Sequence, residues 1–218
     1  MGGIFDLEGP LMQALGKAAD LLVLSLLWLL GCLPLITVGT STTALYYAAI
    51  KVIRGEGSIT ANFFKSYREN LRQSVIAEIL LLAAAYFFYV DLQIVFMQQG
   101  TLMEILRVLF LALLFVYLAL AAYVFPLLAR FVYTLPALFK NAFLMSMLNL
   151  PSTFLVLALD LAPAALFVLR PDWCFRLFPL LLFMVPGLTA YINSLLFLRI
   201  FRKYTPPEEE AAAGTAAN

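Results

Sequence analysis

The stretch that decides the fold is Leu21-Leu-Val-Leu-Ser-Leu-Leu-Trp-Leu-Leu-Gly-Cys-Leu-Pro-Leu-Ile36, followed at once by Thr37-Val-Gly-Thr-Ser-Thr-Thr43. An apolar run of this length reads as a helix destined for lipid. Directly after it come two segments, residues 44–54 and 63–72, that carry Lys51, Arg54, Lys65, Arg68 and Arg72. A greasy span closed by a positive collar fixes which side of a membrane is which.

Composition agrees. The 218 residues are 64% hydrophobic and 12% charged, with a mean hydropathy of +0.96. A soluble domain carries roughly 25% charged residues, so too few remain here to cover a water-facing surface. At about 20 apolar residues per crossing, the chain holds five spans: about 18–38, 74–92, 105–128, 150–169 and 177–198. The expected fold class is all-α: a polytopic membrane protein with five transmembrane helices and short amphipathic interfacial helices. Residues 1–204 form a single integral membrane domain. Residues 205–218, a Glu-rich then Ala/Gly-rich tail, cannot bury anything and are expected to be disordered on the cytoplasmic side.

Between the spans the pattern changes. Residues 1–17 mix Phe5, Leu7 and Leu11 with Asp6 and Glu8, which suits an interfacial helix and not the positive start of a cleavable signal. Gly39-Thr-Ser-Thr-Thr43 reads as turn and N-cap chemistry. Residues 44–54 then form an interfacial helix that Gly55 stops. Thr60 is placed to cap the next helix, in which Lys65, Arg68 and Arg72 share a face opposite Phe63, Phe64, Tyr67 and Leu71. Such helices lie in the headgroup region with their long cations reaching outward. Residues 131–149, with Pro136 and Lys140, read as a further amphipathic connector, and Arg170-Pro-Asp-Trp173 as a turn. Trp28 and Trp173 suit the membrane boundaries.

Counting Lys and Arg sets the orientation. Lys51, Arg54, Lys65, Arg68, Arg72, Arg130, Lys140, Arg199, Arg202 and Lys203 fall on one side; Lys17, Arg107, Arg170 and Arg176 fall on the other. The richer side is cytoplasmic, so the N-terminus is expected outside and the C-terminus in the cytoplasm. Cys32 and Cys174 then lie on opposite sides, too far apart to pair.

Several functions lose their chemistry. The chain has two cysteines and no histidine, which excludes Cys/His metal sites and histidine acid–base catalysis. No catalytic set is found, and no cofactor is expected. The basic residues are collars, not a nucleic-acid footprint. Thr37–Thr43 lacks the pattern of a phosphate loop, so direct nucleotide binding is not expected. Two candidate sites remain. Asp160 sits halfway along the fourth span with Pro163 one turn on, and Pro186 falls at similar depth in the fifth. A mid-membrane acid costs a few kcal/mol, and a helical proline frees a carbonyl. The pair of readings is an ion, substrate or subunit contact, or a neutral acid bonded to a freed carbonyl or a tyrosine. The collar residues Lys51, Arg54, Lys65, Arg68 and Arg72 either anchor anionic lipid or dock a cytoplasmic partner. Glu78 reads as a solvated or arginine-paired anchor.

Two stretches carry a family likeness: Leu29-Leu-Gly-Cys-Leu-Pro-Leu-Ile-Thr-Val-Gly-Thr-Ser-Thr-Thr-Ala-Leu-Tyr-Tyr47, running on to Arg54-Gly-Glu-Gly57 and Phe63-Phe-Lys-Ser-Tyr-Arg-Glu-Asn70, and Tyr123-Val-Phe-Pro-Leu-Leu-Ala-Arg-Phe131, running on to Leu138-Phe-Lys-Asn-Ala142. With Gly2-Gly-Ile-Phe5 they resemble the YesL-type family of small, largely uncharacterised bacterial membrane proteins. Members of that family are typically encoded beside carbohydrate ABC importers and glycan-degrading enzymes of Gram-positive bacteria. The resemblance implies the bacterial plasma membrane, a role in sugar uptake and the permease subunits of an importer as partners. It assigns no reaction and no catalytic residue. The resulting expectation is a non-enzymatic accessory or regulatory subunit of an oligosaccharide ABC importer. The alternative is a stand-alone small transporter or channel with its polar site near Asp160.

Overall fold

A computed structural model describes residues 10–97 and 100–204, and these are helical apart from short connections. The order is α1 (Pro10–Gly31), a 3-10 turn (Leu35–Thr37), α2 (Val38–Arg54), α3 (Ile59–Met97), α4 (Thr101–Arg130), α5 (Leu135–Leu148), α6 (Leu150–Leu169), α7 (Pro171–Arg176) and α8 (Phe178–Tyr204). Among the described residues, four helices are long and apolar enough to cross a membrane: α3, α4 from Met103 onward, α6 and α8. Most of the N-terminal interfacial segment and the tail over 205–218 lie outside the described residues.

The first expected span, 18–38, is interrupted. Helix α1 stops at Gly31, and Pro34 blocks its continuation. The chain restarts as α2 six residues before the expected interfacial helix. Along α8, Gly187 meets Leu21 and Ser25 of α1, whereas Asn193 and Phe197 meet Tyr46 of α2. So α1 covers the first half of α8 and α2 the second half, and the two follow it in succession.

A helix end in an apolar setting leaves up to four carbonyls without intrahelical partners. Each one at the end of α1 is taken. The Trp28 carbonyl accepts from Cys32 N–H and the Ser41 hydroxyl, and the Leu29 and Leu30 carbonyls accept from Cys32 and Leu33 N–H. The Gly31 carbonyl accepts from the hydroxyls of Thr37 and Tyr67. Thr37 and Ser41 after the break, with Tyr67 from α3, satisfy it.

Helix α2 corrects the largest expectation. It is not an interfacial helix over 44–54, and Thr40–Thr43 is not a turn. It packs between α1, α3, α4 and α8, with ten buried residues from Gly39 to Ile50. Its partner in α3 runs antiparallel: Gly39 bonds Glu78, Thr43 bonds Ser74, and Thr40 reaches the Leu71 carbonyl. Small side chains let it sit at the centre, and each hydroxyl there has a partner, as buried polar groups require. The stop at Gly55 is as expected. Gly55 takes φ 69°, with bonds from Gly55 N–H to the Val52 carbonyl and from Glu56 N–H to the Lys51 carbonyl, the pattern of a Schellman cap.

Residues 63–72 and the span at 74–92 are one continuous helix, α3, of 39 residues. At 1.5 Å per residue it is about 58 Å long, roughly twice a bilayer core. Its first half carries α2 alongside. Ser58, not Thr60, caps it, accepting from Ala61 N–H. The connector 131–149 contains α5, whose Leu138, Ala142, Met145 and Ser146 are buried against the bundle. The 170–173 turn winds into the short helix α7. The fourth span matches α6 residue for residue. Pro126, Pro163 and Pro186 all lie inside continuous helices.

Candidate functional site

Asp160, Pro163 and Pro186 do converge. They line one groove of about 480 Å³ between α1 and α2 on one side and α6 and α8 on the other. Trp28, Thr42 and Tyr46 form one wall; Phe167, Leu181, Leu182 and Val185 form much of the other. Asp160 is the eleventh residue of the twenty in α6 and faces open space there. A second hollow, lined by Leu118, Ala122 and Pro126, also reaches Asp160 from its other side.

The partner of Asp160 differs from both candidates the sequence offered. Its Oδ1 accepts from Asn193 Nδ2 at 2.8 Å, and the same amide nitrogen donates to the Tyr46 hydroxyl at 3.3 Å. So Tyr46 reaches the carboxylate through Asn193, and no proline-freed carbonyl is involved. Asn193 is fully buried, and its Oδ1 has no hydrogen-bond partner. Around it stands an aromatic cluster: Tyr123 and Phe197 meet edge to face at 4.9 Å, Phe197 stacks on Phe201, and Tyr46 meets Phe197 at 5.8 Å. This packing fixes α8 against α2 and so fixes the amide under Asp160. Other polar groups on the groove wall are already occupied. The Thr42 hydroxyl donates to the Val38 carbonyl and accepts from Trp28 Nε1; that of Thr189 donates to the Val185 carbonyl.

Pro186 acts through its neighbour. Gly187 N–H donates to Ser25 Oγ at 2.8 Å, and Ser25 Oγ donates in turn to the Leu21 carbonyl at 3.0 Å. A side chain at 187 would collide with the α1 backbone. The kink-prone Pro186-Gly187 pair is therefore a place where α1 and α8 approach closely.

Glu78 is neither solvated nor paired with arginine. It is buried, and its carboxylate accepts from Gly39 N–H at 2.9 Å. It supplies from α3 the cap that Thr37 does not give, since Thr37 makes no side-chain cap to α2. A carboxylate at a helix N-terminus meets unsatisfied donors and the positive end of the helix dipole.

The basic set splits in two. Lys51 and Arg54 at the end of α2 both pair with Glu56 in the following loop, the latter at 3.9 Å. Lys65 and Arg68 stand exposed on α3 around a shallow hollow with Phe64 and Glu69, and Arg72 is exposed one turn on. Arg107 donates to the Val95 carbonyl at 3.1 Å and lies over the Phe96 ring. Cys32 is a free thiol; the side chain of Cys174 lies outside the described residues. Among the described residues, no group of three or more Cys, Asp or Glu comes together to hold a metal.

Residues 21–92 match the family described as protein of unknown function, DUF624. The match runs from the apolar part of α1 through the break, α2 and most of α3, so it coincides with the hairpin that builds the centre of the fold. No curated protein and no solved structure matches the chain.

Sequence reading missed Asn193, Tyr46 and Ser25. Asn193-Ser194 stood in plain view as a polar pair inside an apolar span, the same signal that singled out Asp160. Tyr46 was hidden because residues 44–54 were assigned to the interface.

Proposed function

We propose that this chain is an accessory or regulatory subunit of a bacterial plasma membrane, attached to the permease subunits of a carbohydrate ABC importer. The importer link rests on the resemblance to the YesL-type family. The observation that carries the accessory reading is the position of α2. It fills the space between α1, α3, α4 and α8, where a water path through this bundle would have to run, and a conducting pore needs polar lining along its length. In this reading α1 and α2 together make the first of five crossings. The N-terminus is outside, and Lys65, Arg68 and Arg72 face the cytoplasm, where they meet anionic lipid or the importer's cytoplasmic surface.

The test is purification at native expression in mild detergent, followed by identification of bound chains. Permease or substrate-binding subunits are expected with it; migration alone refutes the reading. Topology is tested separately. In a Cys32→Ala, Cys174→Ala background, Lys65→Cys should resist a membrane-impermeant thiol reagent added to intact cells and react after lysis.

The rival reading, a stand-alone transporter, draws on the groove at Asp160. Flux of sugars, protons or metal ions in reconstituted vesicles, lost on Asp160→Asn, would establish it over the accessory role.

A further inference from the structure

Asp160 carries an unmet demand. Among the described residues no cation pairs with it, and Asn193 supplies one hydrogen bond to a group with room for about four. Behind it, the buried Asn193 Oδ1 is a second acceptor with no donor. Asp160 thus stands without positive charge, in the middle of α6 and on a groove whose other walls are apolar or self-satisfied. Trp28 and Tyr46 line that same groove, and aromatic faces attract cations. Phe167 and Phe178 also line the groove.

We propose that this groove binds a lipophilic ammonium ion. Its charged nitrogen meets Asp160 beside Trp28 and Tyr46. Its apolar part lies along Leu181, Leu182, Val185 and Phe167. An acid in lipid is costly when ionised and alone, and a ligand that brings its own cation and N–H donors removes that cost. A phospholipid ammonium headgroup does not suit the site: such headgroups stay at the membrane surface, whereas Asp160 lies halfway along α6. The ligand is therefore a free amine with a hydrocarbon body that enters from the lipid. This inference is independent of any importer, and its failure leaves the accessory reading untouched.

The experiment uses the full chain with Trp173→Phe in phosphatidylcholine nanodiscs. Trp28 is then the sole tryptophan, since the chain has two, and reports from the groove wall. n-Decylammonium and the neutral n-decanol are titrated side by side, with empty nanodiscs as blank. A saturable change in Trp28 emission is expected, half-complete at a concentration roughly tenfold lower for the amine than for the alcohol, the factor equivalent to ~1.4 kcal/mol. Asp160→Asn should collapse that preference while leaving the weak alcohol response. Val185→Trp, read by competition with a radiolabelled amine, should block both by filling the groove. Asp91→Asn, an acid elsewhere, should change nothing. An amine preference that survives Asp160→Asn, equal response to amine and alcohol, or absence of saturation would each overturn the proposal. If Asp160→Asn fails to fold, the Val185→Trp competition and the amine-to-alcohol ratio in the otherwise native chain still decide it.

Discussion

Replacing Gly187 by alanine separates two opposing effects by magnitude. Away from any neighbour, Gly→Ala inside a helix stabilises by roughly 0.5–1 kcal/mol through lost unfolded-state entropy. Here the new Cβ would stand 2.3 Å from the Leu21 carbonyl oxygen and 2.8 Å from Ser25 Oγ. The first is backbone and cannot swing aside, so α1 and α8 must separate. Overpacking of this kind costs about 1–3 kcal/mol. The Gly187–Ser25 hydrogen bond stretches with it, at a further cost of about 0.5–1.5 kcal/mol. The net expectation is a loss of roughly 0.5–4 kcal/mol, centred near 2. At about 2–4 °C per kcal/mol for a chain of this size, the midpoint of thermal unfolding in detergent should fall by several degrees. Gly187→Leu should fall further. Ser25→Ala alone removes the hydroxyl that accepts from Gly187 N–H and should cost about 0.5–1.5 kcal/mol. In the double variant one of the two collisions is gone, so the losses should fall short of additive by at least about 0.5 kcal/mol. A Gly187→Ala protein as stable as the parent, or more so, would show that helix propensity wins and that α1 and α8 do not approach as described.

Three further outcomes follow from named contacts. Glu78→Ala removes the acceptor for Gly39 N–H and should cost about 1–3 kcal/mol, seen as a lower unfolding midpoint; Glu78→Gln keeps a carbonyl in reach and should recover at least half. Glu56→Ala frees Lys51 and Arg54 but breaks only partly exposed pairs, so stability should move by less than about 1 kcal/mol, and less still in high salt. Tyr123→Phe deletes the hydroxyl that meets Thr153 at 3.0 Å; because the Thr153 hydroxyl also bonds the Ser146 carbonyl, the loss should stay near 1 kcal/mol, and a loss above about 3 kcal/mol would show the α4–α6 contact to be differently built.

What could be read from sequence depended on what lipid demands. Long apolar runs are legible because hydrocarbon offers the backbone no partner but itself, so the expected spans match α6 residue for residue and fall within four residues of the ends of α4 and six of those of α8. Helix α2 was not legible. Thr40, Ser41 and Thr43 read as turn formers because in water their hydroxyls compete for backbone groups. In the bundle those hydroxyls are held by Trp28, Leu71, Ser74 and Gly39, three of them brought in from α1 and α3. No local pattern announces such partners. The same holds for Asp160: its depth was visible, while its tie to Asn193 and Tyr46 required knowing that α2 lies at the centre.

The break between α1 and α2 joins these findings. An unbroken helix from residue 18 to 54 would have carried Lys51 and Arg54 far from α8 and left Tyr46 beyond reach of Asn193. Stopping at Gly31 and restarting at Val38 lets the chain overlap itself, so that Trp28 and Thr42 meet at 3.1 Å and form one wall of the groove. The restart exposes helix donors at Gly39, and since Thr37 makes no side-chain cap the acceptor comes from another helix. Glu78 does this, and α3 is thereby set antiparallel to α2 with Ser74 facing Thr43. Thr37, Ser41, Tyr67 and Glu78, all within the matched stretch 21–92, thus share one structural role, which is to make a broken helix tolerable inside a bundle. The groove at Asp160 exists because they fill that role.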